Sequence, residues 1–290
     1  MAWRRSAPTV GADRADADRA DSNERISTVR LNTRQWGDGD RTALLVHGIM
    51  SDSRTWRRVG PALADLGYRV IAVDLRGHGG SGPRDAPEQA PEGTPENAPE
   101  NAPEQAPGGG AGDGRYAPGR YADDLAETLP PGVELALGHS LGGLALAGAV
   151  ERLSPRRAVY LDPAWRFDPP GKGFDPALFA EFAERATPAL VAAMNPRWEQ
   201  ADVDIELETL ALWDRAGAAA LSPLAGRLLL PERAAVPSLV VTADPSRLVR
   251  AEDVALLRER GFEVRTVPDA GHTIHRDDFA GLMTALEGWI

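Results

Sequence analysis

The chain has 290 residues, 42% of them hydrophobic, which is enough for one large domain or for a core with a smaller lobe. A formal charge of −11 sets a repulsive field against phosphate backbones and anionic lipid, so neither nucleic acid nor a membrane is an expected partner. With no cysteine there is no disulfide framework and no thiolate chemistry, and a zinc site would need His and carboxylates alone.

The stretch MAWRRSAPTVGADRADADRADSNER is basic and then polar, without the apolar run of a signal peptide, and no later run is long enough to cross a bilayer. A cytoplasmic protein is expected. Residues 1–25 carry too few packing side chains to offset the entropy of ordering and read as a disordered tail. Next comes STVRLNTRQWG, which suits an antiparallel edge pair. The runs RTALLVHG (41–48), YRVIAVDL (68–75), GVELALGHS (132–140), RRAVYLD (156–162), VPSLVVTAD (236–244) and FEVRTVP (262–268) are continuously apolar rather than alternating, the pattern of strands covered on both faces. Helices are expected at 53–66, 119–129, 141–152, 251–260 and 276–290. Strand and helix in turn imply a mostly parallel sheet with right-handed crossovers, an α/β fold.

Two segments break this rhythm. In APEQAPEGTPENAPENAPEQAP the prolines fall at 87, 91, 95, 99, 103 and 107, removing a helix donor every turn, so residues 83–118 read as a disordered insertion. Residues 163–231 show helical spacing but no strand and are far longer than an ordinary loop, so they read as a helical cap inserted into a core formed by residues 26–162 and 232–290.

Gly138-His139-Ser140-Leu141-Gly142 fits G-x-S-x-G, a weak signal alone. Here it lies between the strand-like VELAL and the helix-like LGGLALAGAVERL, the strand-turn-helix setting that forces a serine onto an exposed elbow. A serine hydroxyl needs a base to remove its proton and a third group to orient that base. Asp244, just past SLVV, and His272, in DAGHTIH past FEVRTVP, supply them in the chain order Ser, Asp, His. Asp162 also ends a strand and is the alternative acid. His275 is the rival base, but it falls where the last helix begins, whereas Gly271-His272 permits a loop that folds back over the elbow. The N–H groups of Leu141 and Ile49 are the expected oxyanion donors, with Met50 as the substitute for Ile49.

Together HGIM, DLRGHGGS, GHSLGG, TADPSRLV and DAGHTIH resemble the motifs of the α/β-hydrolase fold superfamily, in its capped, esterase-like form. The resemblance covers most of residues 41–290. It implies Ser140 as nucleophile, His272 as base, Asp244 as acid and Ile49 with Leu141 at the oxyanion hole. It also implies structural roles for His47, His78 and His139, and so no metal site. The family members that attack saturated carbon use aspartate, so Ser140 points instead to acyl transfer to water without a cofactor. The expected activity is hydrolysis of a carboxylic ester, thioester or lactone of a small to medium, largely apolar substrate. The alternatives are a serine carbon–carbon bond hydrolase and a ligand-binding relative with little turnover. Met50, Trp165 and Phe167 are the expected substrate contacts, and a monomer or homodimer is the expected state.

Overall fold

The computed structural model describes residues 28–81, 114–169, 172 and 175–290. The expected tail at 1–25 and most of the insertion at 83–118 lie outside them. Seven strands form one sheet: β1 (Thr33–Trp36), β2 (Arg41–Val46), β3 (Tyr68–Val73), β4 (Leu135–His139), β5 (Arg157–Leu161), β6 (Ser238–Thr242) and β7 (Phe262–Thr266). Their order is β1-β3-β2-β4-β5-β6-β7, and only β1 runs antiparallel, along β3. The edge strand expected before residue 41 is therefore present.

The continuous apolar runs have the reason the sequence suggested. Alternate residues enter two separate cores: Leu44, Tyr160 and Val240 on one face, Leu45, Val159 and Val241 on the other. The helices are α1 (Val59–Asp65), α2 (Pro118–Thr128), α3 (Leu141–Leu153), α4 (Pro176–Arg185), α5 (Pro188–Met194), α6 (Gln200–Ala211), α7 (Ala216–Ala219), α8 (Ala251–Glu259), α9 (Ile274–Asp277) and α10 (Phe279–Ala285). Residues from α2 and α3 fill the first core, and residues from α1 and α10 the second.

Three expected elements differ in extent. The helix expected at 53–66 is a 3₁₀ turn at 53–56, capped by the Asp52 carboxylate on the Arg54 N–H, and then α1. The last helix breaks at Asp278, whose extended backbone interrupts the ladder and whose side chain caps α10 by accepting from Gly281 N–H. Residues 114–118 are not part of a structureless insertion: Tyr116 is buried and donates to Asp214 at 2.5 Å, and α2 starts at Pro118.

Between β5 and β6 the chain makes α4 to α7, with Pro176 and Pro188 in the first turns of α4 and α5 and Asp175 and Thr187 capping them. Charged contacts bind this helical insertion to the sheet domain. On α6, Asp202 holds Arg57, and Glu206 holds Arg276 at 2.6 Å. Trp198 donates to Asp277 at 2.9 Å.

Candidate active site

The sheet gathers its functional loops at the carboxyl ends of β2, β4, β5, β6 and β7. The first piece is the β4–α3 turn. Ser140 has φ 52° and ψ −118°, a left-handed conformation that a side-chain-bearing residue adopts only under constraint. The constraint is close packing of the turn on the sheet: a Cβ on Gly142 would collide with the carbonyl oxygens of Val46 and His47, and one on Gly138 would lie 2.5 Å from the Gly142 oxygen. Leu141 opens α3, so its N–H has no acceptor within the helix and points with the positive end of the helix dipole.

The histidine loop follows β7. His272 Nδ1 lies 2.7 Å from Asp162 Oδ2, which directs Nε2, on the far side of the ring, away from that carboxylate. Asp162 is buried, has φ 36°, and its Oδ1 accepts from Ala243 N–H at 3.3 Å. The carboxylate expected from the sequence, Asp244, is not the one His272 meets. Its side chain is exposed, and its backbone N–H donates to Ala270 O at 2.9 Å. The reason is strand order. Asp162 directly follows Leu161, which pairs with His139 of β4, whereas Asp244 lies past β6, one strand further out. The alternative acid thus occupies the position that the sequence reading gave first to Asp244.

Two further histidines hold this loop. His139 Nε2 donates to the His272 carbonyl oxygen at 2.9 Å, and the two rings lie tilted against each other with centroids 4.7 Å apart. His275, the rival base, is buried with its ring 4.8 Å from His139 and 4.6 Å from Trp56, and its Nε2 contacts Thr55 Oγ1 at 2.7 Å. Burial pushes His139 and His275 well below the ordinary imidazole value, which keeps both neutral. His47 donates from Nδ1 to Gly48 O and accepts Leu75 N–H at Nε2, an arrangement that joins the β2 and β3 ends. Among the described residues no group of three or more His, Asp or Glu side chains converges as metal ligands would.

Ser140, Asp162 and His272 line one cavity of about 450 Å³. Ser140 and His272 share it without a hydrogen bond between them. Gly48, Ile49, Met50 and Leu141 form its wall beside the serine, and Met50 has φ 64°, so three left-handed side-chain-bearing residues meet here. Phe167 also lines the cavity. Trp165 does not: the chain reverses sharply, with Trp165 N–H on Pro163 O, and the indole packs into the core against Tyr160 and Phe262. Phe179, one of the cap aromatics, also lines the cavity, and the sequence reading did not single out Arg166, Arg247 and Arg276 as lining residues. These arginines come from three separate segments, and nothing local marks them.

The comparisons agree with this architecture. Residues 43–283 match the model of the alpha/beta hydrolase family, and the chain belongs to that family. It is 44% identical to epoxide hydrolase A of Mycobacterium tuberculosis over 59 residues, 20% of this chain and 18% of that protein. It is 29% identical to an esterase of the same organism over 117 residues, 39% of this chain and 29% of that one. The aligned stretches thus span less than a third of these relatives' own length. The enol-lactonase of Burkholderia xenovorans superposes with a TM-score of 0.62 at 20% identity, over 89% of this chain and 95% of that chain, a likeness of fold.

Proposed function

We propose that the protein is a serine hydrolase that cleaves a carboxylic ester, cyclic esters included, through an acyl-enzyme. The observation that carries this reading is the His272–Asp162 pair at 2.7 Å, opening onto the same cavity as a serine held in a left-handed turn. Ser140 Oγ attacks the acyl carbon while His272 Nε2 takes its proton. Asp162 fixes the tautomer with the proton on Nδ1 and stabilises the imidazolium that forms. The negative charge that develops on the carbonyl oxygen is met by the Leu141 and Ile49 N–H groups, one such donor being worth roughly 3–4 kcal/mol of barrier. His272 returns the proton to the leaving alkoxide and then draws one from water, which hydrolyses the acyl-enzyme.

The cavity supports this substrate class. Ile49, Leu141, Ala164, Phe167, Phe179 and Leu221 give an apolar lining suited to an acyl chain or ring. A chromogenic p-nitrophenyl ester series and a fluorophosphonate probe test the proposal. Turnover and labelling are expected in the wild type, and Ser140→Ala should abolish both. A folded wild-type protein that neither labels nor turns over any ester or lactone overturns it in favour of a binding protein.

A further inference from the structure

One guanidinium in the cavity lining is left without a partner among the described residues. Its lining carries three arginines, Arg166, Arg247 and Arg276, and three carboxylates, Asp162, Asp168 and Glu206. Arg166 is held by Asp253 and Glu252. Arg276 gives Nη1 to Glu206 and Nε to Thr55, and its guanidinium lies over the Trp198 ring. Asp168 is held by Arg250, and Asp162 by His272. Among the described residues, Arg247 alone of these six makes no hydrogen bond or ion pair.

Resting on the hydrolase reading above, we propose that Arg247 is a specificity residue that binds a carboxylate carried by the substrate, so that the preferred ester is a half-ester of a dicarboxylic acid or a lactone bearing an acid group. Three features support this. First, the Arg247 backbone is fixed: Ser246 Oγ accepts the N–H groups of Leu248 and Val249 at 3.2 and 2.9 Å, and Val249 is buried. The side chain is exposed at the cavity, and so can be reached from solvent. Second, a guanidinium presents a fork of donors that matches a planar carboxylate in two parallel hydrogen bonds. Third, one unpartnered guanidinium matches one carboxylate and not two. Asp168 and Glu206 also line the cavity, so a dianion would meet more repulsion there than one free guanidinium offsets.

The decisive comparison uses mono-p-nitrophenyl succinate, glutarate and adipate beside the neutral p-nitrophenyl esters of the same chain length. In the wild type at least one half-ester should exceed its neutral partner in kcat/KM. Arg247→Gln should lower that half-ester's kcat/KM about tenfold, mainly through KM, and leave neutral esters within about twofold. Arg247→Lys should fall between, and high salt should weaken the wild-type preference. A wild type with no preference for any half-ester, or an Arg247→Gln loss equal for both ester types, overturns the proposal. A second measurement separates its failure from that of the hydrolase reading. Titration of the monomethyl esters of the same acids into Ser140→Ala protein needs no turnover. Binding about tenfold weaker after adding Arg247→Gln supports the site, and equal binding overturns it.

Discussion

His272 Nδ1 meets Asp162, at the end of β5, and not Asp244, past β6. Replacing each carboxylate by the amide tests which one governs the imidazole. Asp162→Asn should lower kcat about 10³–10⁴-fold, because the amide no longer holds the proton on Nδ1. Asp244→Asn should stay within about threefold, since its exposed side chain plays no part in the step. Steady-state kinetics on one chromogenic ester decides the matter, and a severe loss confined to Asp244→Asn would return the acid to the position read from the sequence.

The elbow should tolerate no added methyl at Gly142. A Cβ there runs into the backbone oxygens of Val46 and His47, which are fixed in and beside β2 and cannot give way as a flexible side chain would. Gly142→Ala is expected to destabilise by at least about 2–3 kcal/mol, the scale of overpacking in a tight core. Thermal unfolding should show it, and an unchanged melting temperature would mean that the turn is looser than described.

Two neighbouring ion pairs between α6 and the sheet domain should differ in weight. Glu206 and Arg276 are both buried, whereas Glu208, which pairs with Arg54, has 64% of its side chain exposed. Glu206→Gln leaves a buried guanidinium without its counter-charge and should cost about 3 kcal/mol or more. Glu208→Gln removes a pair screened by water and should cost less than about 1 kcal/mol. Denaturant titration of the two variants is the check, and equal losses would contradict the assignment.

Acid should weaken the fold before carboxylates protonate in bulk. Burial lowers His47, His78, His139 and His275, with His78 pushed down to about 3. Each is neutral when folded and takes a proton on unfolding below its unfolded value of about 6.5. Stability from these groups is therefore intact above that pH and falls as pH drops, by at most about 1.4 kcal/mol per unit for each. Calorimetry at pH 5.5 in two buffers of different ionisation enthalpy should register a net uptake of protons on unfolding. Uptake near zero would mean that these imidazoles are already charged in the folded state.

What the sequence revealed and what it hid divide along the reach of each signal. The strands were legible because runs such as ALLV and SLVV are apolar at every position, which only a sheet covered on both faces requires. Ser140 and His272 each sit in a short motif whose local turn announces it. The choice between Asp162 and Asp244 was not legible, since both end apolar strands and the deciding fact is that β5 lies against β4. Trp165 misled for a related reason: an aromatic residue just past a strand can face either the cavity or the sheet, and a tight reversal at Pro163 turned it inward. Arg247 looked like any surface cation until the partners of the other five charged lining residues were known.

With the proposed acid on the inner strand, Pro245, Arg247 and Leu248 border the cavity without taking part in the proposed bond cleavage. A rim so placed can change its side chains without endangering bond cleavage. It is the natural stretch to randomise when retargeting this scaffold, and selection on it should yield altered preferences at undiminished turnover.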